Sequence, residues 1–113
     1  MKIPIHLNRS TFDYLPSLTP LQFAILNCLR NKPLHGQALR ELLAGFGIHQ
    51  SGPSFYQLMR RMETSRLIHG KYQKKILGTR AYREREYTIT DAGEDAIAFA
   101  AGFYSHQHWA QPE

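Results

Sequence analysis

Residues 51–68 read SGPSFYQLMRRMETSRLI, and residues 69–90 continue HGKYQKKILGTRAYREREYTIT. The first stretch has a helical period. Phe55, Leu58, Met59 and Met62 stand at i, i+3, i+4 and i+7, so they share one face that must be buried. Ser51 offers an N-cap hydroxyl to a free amide of the first turn, and Pro53 is tolerated where no intrahelical N–H bond is yet made. At about 100° per residue the opposite face carries Ser54, Gln57, Arg60, Arg61 and Thr64. Such side chains bond base edges and phosphate oxygens. Taken alone, that face reads equally well as an ordinary solvated one.

The second stretch tips the balance. From Leu67 the chain loosely alternates, with Ile68, Tyr72 and Ile76 on one parity, and Tyr87 and Ile89 resume the pattern after LGTR. Gly78 is suited to the positive φ of a tight turn. Lys71, Lys74, Lys75, Arg80, Arg83 and Arg85 crowd around it. Residues 60–85 carry nine Lys and Arg against two Glu, a net +7, whereas the whole chain is only +5. Cations so concentrated repel one another unless a polyanion lies opposite. A charged edge strand also protects a sheet from pairing with another, but that purpose needs one or two lysines, not six cations around one turn. A helix followed at once by a basic hairpin is the pattern of a winged helix.

SGPSFYQLMRRMETSRLI followed by REYTITDAG resembles the core of the PadR family of winged-helix transcriptional regulators. The upstream LTPLQFAILNCLRNKPLHGQAL is similar to that family's first helix and its Pro-Leu-His-Gly turn, so the likeness spans about residues 18–100. The resemblance implies a recognition helix opened by a capping Ser and a Tyr, a Leu-Ile pair leading into the wing, and C-terminal helices that dimerise. One position departs from the pattern. Arg66 stands where the family usually has Gly, so the helix must end without the residue best suited to a left-handed turn.

Length and composition frame this reading. A chain of 113 residues, 42% hydrophobic and 12% aromatic, is expected to form one globular domain with a modest core. Cys28 is the only cysteine, which excludes an intramolecular disulfide and a multi-cysteine zinc site. No stretch approaches the roughly 18 apolar residues of a membrane span, and MKIPIHLNRS lacks a signal-peptide core, so the expected location is cytoplasmic.

The expected organisation is mainly α with a small β-hairpin. It comprises an N-terminal arm (1–17), a winged helix-turn-helix domain (18–90), a C-terminal dimerisation helix (91–107) and a tail (108–113). The arm holds Ile3, Ile5, Leu7, Phe12, Tyr14 and Leu15, apolar enough to pack on the domain or a second subunit, while Lys2 and Arg9 could reach DNA. Thr19 and Gln22 form a capping-box pair ahead of a helix whose buried stripe is Leu21, Ile25, Cys28 and Leu29. Cys28 there is a small core residue rather than a nucleophile. The next helix has Leu39, Leu42, Leu43 and Phe46 at helical spacing and is stopped by Gly45 and Gly47. GIHQ then makes the short turn of a helix-turn-helix. His35 has no nucleophile or carboxylate beside it in its motif and is read as stabilising the turn.

Thr90 and Asp91 can cap the last helix, on which Ala96, Phe99, Ala100 and Phe103 line a face suited to a second copy. His106 and His108 are too few for a closed metal site, and no cofactor is expected. Trp109 near such a seam is the candidate lining for a planar aromatic effector, which some relatives use.

The functional expectation is sequence-specific binding of double-stranded DNA by a homodimeric transcriptional repressor on a palindromic operator. Gln57 with Arg60 or Arg61 would read bases, and Ser54, Tyr56 and Thr64 would hold phosphate or sugar. Lys71, Lys74, Lys75, Arg80 and Arg83 would grip the backbone or reach the minor groove. The competing reading is a winged-helix adaptor for other proteins, with Asp91, Glu94 and Asp95 or the arm as its working surface. Catalysis is not expected: the six histidines are scattered and no phosphate loop or paired carboxylates occur.

Overall fold

The computed structural model describes residues 18–110, with side chains to Gly102. The elements are α1 (Pro20–Leu29), β1 (Leu34–His35), α2 (Gly36–Gly45), α3 (Gly52–Thr64), β2 (Ile68–Leu77), β3 (Arg80–Ile89) and α4 (Asp91–Ala110). The strands form one antiparallel sheet in the order β1-β3-β2. Three helices against a hairpin, followed by a long fourth helix, make a winged helix. The arm and the last three residues of the tail lie outside the described residues.

Each helix start is closed by a side chain. Thr19 Oγ1 accepts from the Gln22 amide at 3.1 Å while Gln22 Oε1 accepts from the Thr19 amide at 3.0 Å, a complete capping box. His35 caps α2 by accepting from Ala38 through Nδ1 at 3.2 Å, and Ser51 Oγ caps α3 by accepting from Ser54 at 3.2 Å. Thr90 Oγ1 accepts from the Gly93 amide at 3.0 Å and itself donates to the Arg66 carbonyl at 2.6 Å. The start of α4 is thereby tied to the end of α3.

The core is built from one stripe on each helix. Ile25, Leu26 and Leu29 of α1 meet Leu39 and Leu43 of α2, and Phe55, Met59 and Met62 of α3, over Leu34, Leu67, Ile68 and Tyr87. Ala96 and Ile97 of α4 close it. Leu26 belongs to this stripe although sequence spacing put Cys28 and Leu21 there; both are half-buried at its margin, and burial raises the Cys28 thiol pKa. Leu42 and Phe46 correct the sequence reading of α2, being 43% and 75% exposed. The buried arc of α2 runs through Gly36, Leu39 and Leu43, and Leu42 falls beside it. Phe46 is the C-cap, where the helix has already ended and its period no longer applies.

α3 ends on a left-handed residue. Arg66 has φ +62°, its amide donates to Glu63 at 2.9 Å, and the next amide, Leu67, donates to Met62 at 3.0 Å. These are the two bonds of a Schellman motif, completed by the buried side chains of Met62 and Leu67. The missing Gly does not change how the helix stops; Arg66 takes the conformation that Gly would.

The hairpin turns on Gly78 and Thr79 between the paired Leu77 and Arg80. Only Gly78 has positive φ, at +64°, the pattern of a type II′ loop. Gly93 is required by close approach: a Cβ there would collide with the Leu67 carbonyl and the Ile89 side chain.

Candidate nucleic-acid interface

The pairing register sorts the wing side chains by face. Directly opposed residues share a face, so Ile68, Gly70, Tyr72, Lys74 and Ile76 lie with Ile89, Tyr87, Arg85, Arg83 and Ala81. This face starts in the core at Ile68 and Tyr87 and continues outward past α3. Lys71, Lys75 and Arg80 are on the opposite face, with Glu84 and Glu86 among their neighbours. The wing cations expected to act together are therefore split: Lys74 and Arg83 face the helix side, and Lys71, Lys75 and Arg80 face away.

On α3 the burial of Phe55, Met59 and Met62 turns the other flank outward. Ser54, Tyr56, Gln57, Arg60, Arg61 and Thr64 are all exposed. Tyr56, Arg60, Glu63 and Thr64 line the wing side of this flank, and Gln57 stands opposite the buried stripe, at its crest. The Tyr56 ring is edge-on to Phe55 at 5.0 Å and rests on Gly36, where a Cβ would come within 2.7 Å of it. The Thr64 hydroxyl donates to the Arg60 carbonyl at 3.0 Å, which leaves only its lone pairs for a ligand. Between helix and wing lies an open cleft of about 630 Å³, bounded by these residues with Gly36 and Gln37 on one side and Tyr72, Arg83, Glu84, Arg85 and Tyr87 on the other.

One ion pair joins the walls of the cleft, and a cation–π cluster lies within the wing wall. Arg85 forms a two-bonded ion pair with Glu63, at 2.5 Å through Nη2 and 3.3 Å through Nε. The pair crosses over Gly70, where any side chain would strike both partners. Tyr72 presents its ring to two guanidinium groups, Arg83 at 4.6 Å and Arg85 at 4.7 Å. Arg85, one of the six cations counted around the turn, is thus neutralised at the wing base. Glu63 gives no hint of this partner in the sequence, because 22 residues separate them.

Two other residues position the site: Arg40, which sequence reasoning left aside, and His35, which it read as stabilising the turn. Arg40 donates to the Gln50 carbonyl at 3.0 Å and lies over the Phe55 ring at 6.0 Å, bracing the loop that delivers α3. His35 Nδ1 is 3.0 Å from Glu84 Oε1 as well as being the α2 cap. One nitrogen cannot accept from Ala38 and donate to Glu84 together, so the cap holds when Nδ1 is bare and the Glu84 bond when it carries a proton.

On α4, Ala96 is buried in the chain's own core, which corrects its expected place at a seam between copies. Its position beside Ile97 at the base of the helix is covered by the domain. Phe99 and Ala100 are half-buried, and the side chains of Phe103 and Trp109 lie outside those described, as do those of His106 and His108. Among the described residues no cluster of His, Cys, Asp or Glu could hold a metal ion, and no helix is long and apolar enough to cross a membrane.

Residues 25–98 match the transcriptional regulator PadR-like family. No curated protein matches the chain significantly. Among solved structures, a PadR-like transcription factor from Bacteroides fragilis superposes with a TM-score of 0.68 at 16% identity, over 78% of this chain and 82% of that one. A PadR family transcriptional regulator from Eggerthella lenta gives 0.64 at 28% identity, over 77% and 73%. Bacillus subtilis PadR, solved in complex with operator DNA, gives 0.58 at 20% identity, over 87% of this chain and 50% of that one.

Proposed function

Because the chain belongs to the PadR-like family of transcriptional regulators, we propose that it is a DNA-binding repressor that acts as a homodimer on a palindromic operator. One observation carries the reading: the wing side of α3, with Tyr56, Arg60 and Thr64, and Arg83 of the hairpin line the same cleft, and Lys74 lies on that same face of the hairpin, so a duplex seated on the helix would meet the wing. The operator complex of the Bacillus subtilis relative supports the same use of the fold.

In this reading α3 enters the major groove. Gln57 offers an amide that suits adenine, and Arg60 or Arg61 a fork that suits guanine. Ser54, Tyr56 and Thr64 hold phosphate or sugar, and Lys71, Lys74, Lys75, Arg80 and Arg83 supply affinity without choice of sequence. The split of these cations between two faces fits a hairpin that runs between phosphate strands, each face serving one of them.

Dimerisation rests on α4 beyond Ala96, where Phe99, Ala100 and Phe103 follow at helical spacing, with the arm 1–17 as a second contributor. Two copies would set their α3 helices about 34–36 Å apart, one turn of B-DNA. A planar aromatic effector near Trp109 at that seam, cytoplasmic residence and the absence of catalysis complete the proposal.

Selection of bound sites from random duplex DNA tests it. The expected result is a two-fold symmetric consensus. If each subunit neutralises about four phosphates, log K falls with log salt at a slope near −7. A slope near zero, or no enrichment, defeats the reading in favour of a protein-binding adaptor.

A further inference from the structure

The end of the wing is aliphatic. Ile76 and Leu77 are 71% and 72% exposed, directly before the Gly78-Thr79 loop, and they point to opposite faces of the hairpin. Lys74, Lys75, Arg80 and Arg83 surround them. A tip that only clasped phosphates would use cations or small polar residues. Two large aliphatics held in water at the far end of a hairpin are a hazard for a sheet edge, unless something apolar receives them.

The wing has the reach to find such a receiver. β1 ends opposite Glu86, and six residue pairs extend beyond it, from Tyr72–Arg85 to Leu77–Arg80. At about 3.3 Å per pair this stretch is about 20 Å long, held at its base by Arg85–Glu63 and Glu84–His35 and projecting beyond them. From a helix seated in the major groove, the neighbouring minor groove lies about half a turn away, roughly 17 Å. That groove is only about 6 Å wide, too narrow to admit a two-stranded ribbon without opening. Its floor carries the polar edges of the base pairs, and the apolar surface within reach of such a tip is the stacked base faces that are uncovered when a step is parted.

Building on the regulator reading, we infer that Ile76 and Leu77 form a wedge that enters the DNA minor groove beside the recognition helix, parts a base step and bends the duplex. The cations around them bind the two phosphate strands that rim the opened groove, and the aliphatics replace the broken stacking. Specificity then has a second source besides α3, since flexible pyrimidine–purine steps open most readily.

The test uses the full chain and a duplex of about 30 base pairs recovered by site selection, carrying a fluorescent donor and acceptor at its ends. Wild type is expected to raise energy transfer, as a bend of some 20–90° requires. I76A/L77A should keep the unfolding midpoint and the salt slope, bind on the order of ten-fold more weakly, and leave the bound duplex as straight as the free one. I76M/L77M, which retains an apolar tip, should restore the bend. Binding by wild type without bending, a bend that survives I76A/L77A, or a bend equally abolished in I76M/L77M overturns the wedge and leaves the regulator reading intact. Failure of wild type to bind any duplex in dilute buffer overturns both.

Discussion

Arg85 of β3 holds Glu63 of α3 by two hydrogen bonds, the shorter 2.5 Å, and this pair fixes the base of the wing against the helix that carries Gln57. Both side chains are partly buried, and the Glu63 hydrogen bond raises the Arg85 guanidinium above its ordinary range. Removing either partner should destabilise the fold by about 1–2 kcal/mol, in the range for a charged hydrogen bond. The two removals should differ on DNA. E63Q releases a cation into the cleft, so low-salt duplex affinity should rise and the salt slope should steepen by about 0.9 per subunit. R85Q should leave the slope unchanged. Salt titrations of the two variants, read beside their urea midpoints, check the assignment.

Gln57 and Lys74 should separate by kind of effect. Gln57 is at the exposed crest of α3, and Q57A should weaken the selected operator more than unrelated duplex, by about 1–3 kcal/mol at one base position. K74Q should weaken all duplexes alike and flatten the salt slope by about 0.9 for each phosphate that is no longer neutralised. Competition binding against scrambled sequence at several salt concentrations distinguishes them. Equal weakening on all duplexes for Q57A would remove Gln57 from base reading.

Arg66 sits at φ +62°, a region that costs a side chain about 1–2 kcal/mol. R66G should therefore stabilise the protein, by roughly 1 kcal/mol once the greater freedom of Gly in the unfolded chain is deducted. The expected rise in Tm is about 4–8 °C. The left-handed turn itself is kept by the Schellman bonds of Arg66 and Leu67, so DNA affinity should change only by the removal of one exposed cation.

Tyr87 links the core to the cleft, and its phenol pKa is pushed up to about 12, chiefly by burial and next by the nearby Glu63 carboxylate. In the unfolded chain the same group ionises near 10. Between these values the folded form keeps a proton that the unfolded form releases, so stability falls as pH rises from about 10 to about 12. The loss attributable to this group is at most about 2–3 kcal/mol. Chemical denaturation across that window should show a shallower decline for Y87F than for wild type, with little difference near neutral pH.

How far the sequence spoke depended on how local each cause was. The α3 stripe of Phe55, Met59 and Met62 was legible because a 3.6-residue period needs nothing beyond the helix itself. The same period put Leu42 and Phe46 inside, since it reports which residues share a face but not where the helix stops or how wide its partner is. β1 left no trace: two residues of a Pro-Leu-His-Gly turn become a strand only because Tyr87 and Glu86 lie alongside. The cation count around the wing was legible too. Its division between faces needed the register, and the withdrawal of Arg85 needed a carboxylate from another element.

Gly93 makes the same point in reverse, because its reason is visible only in three dimensions. In the sequence it closes the run from Tyr87 to Gly93, three residues past the Thr90 cap, where an ordinary helix former would serve α4 better. In the fold its Cα faces the Leu67 carbonyl, which also accepts from the Thr90 amide at 3.2 Å. A methyl group there would meet backbone rather than a side chain that could swing aside. G93A gains about 1 kcal/mol of helix propensity. It must also push α4 away from the turn that carries Arg66 and Leu67, and overpacking of this kind typically costs about 1–3 kcal/mol. The net expectation is a loss of stability, together with a looser α4 and, if α4 carries the seam between copies, weaker self-association. Thermal denaturation and sedimentation of G93A check both parts. A variant more stable than wild type would mean that the close approach is relieved at no cost, and that Thr90 alone holds α4 to the end of α3.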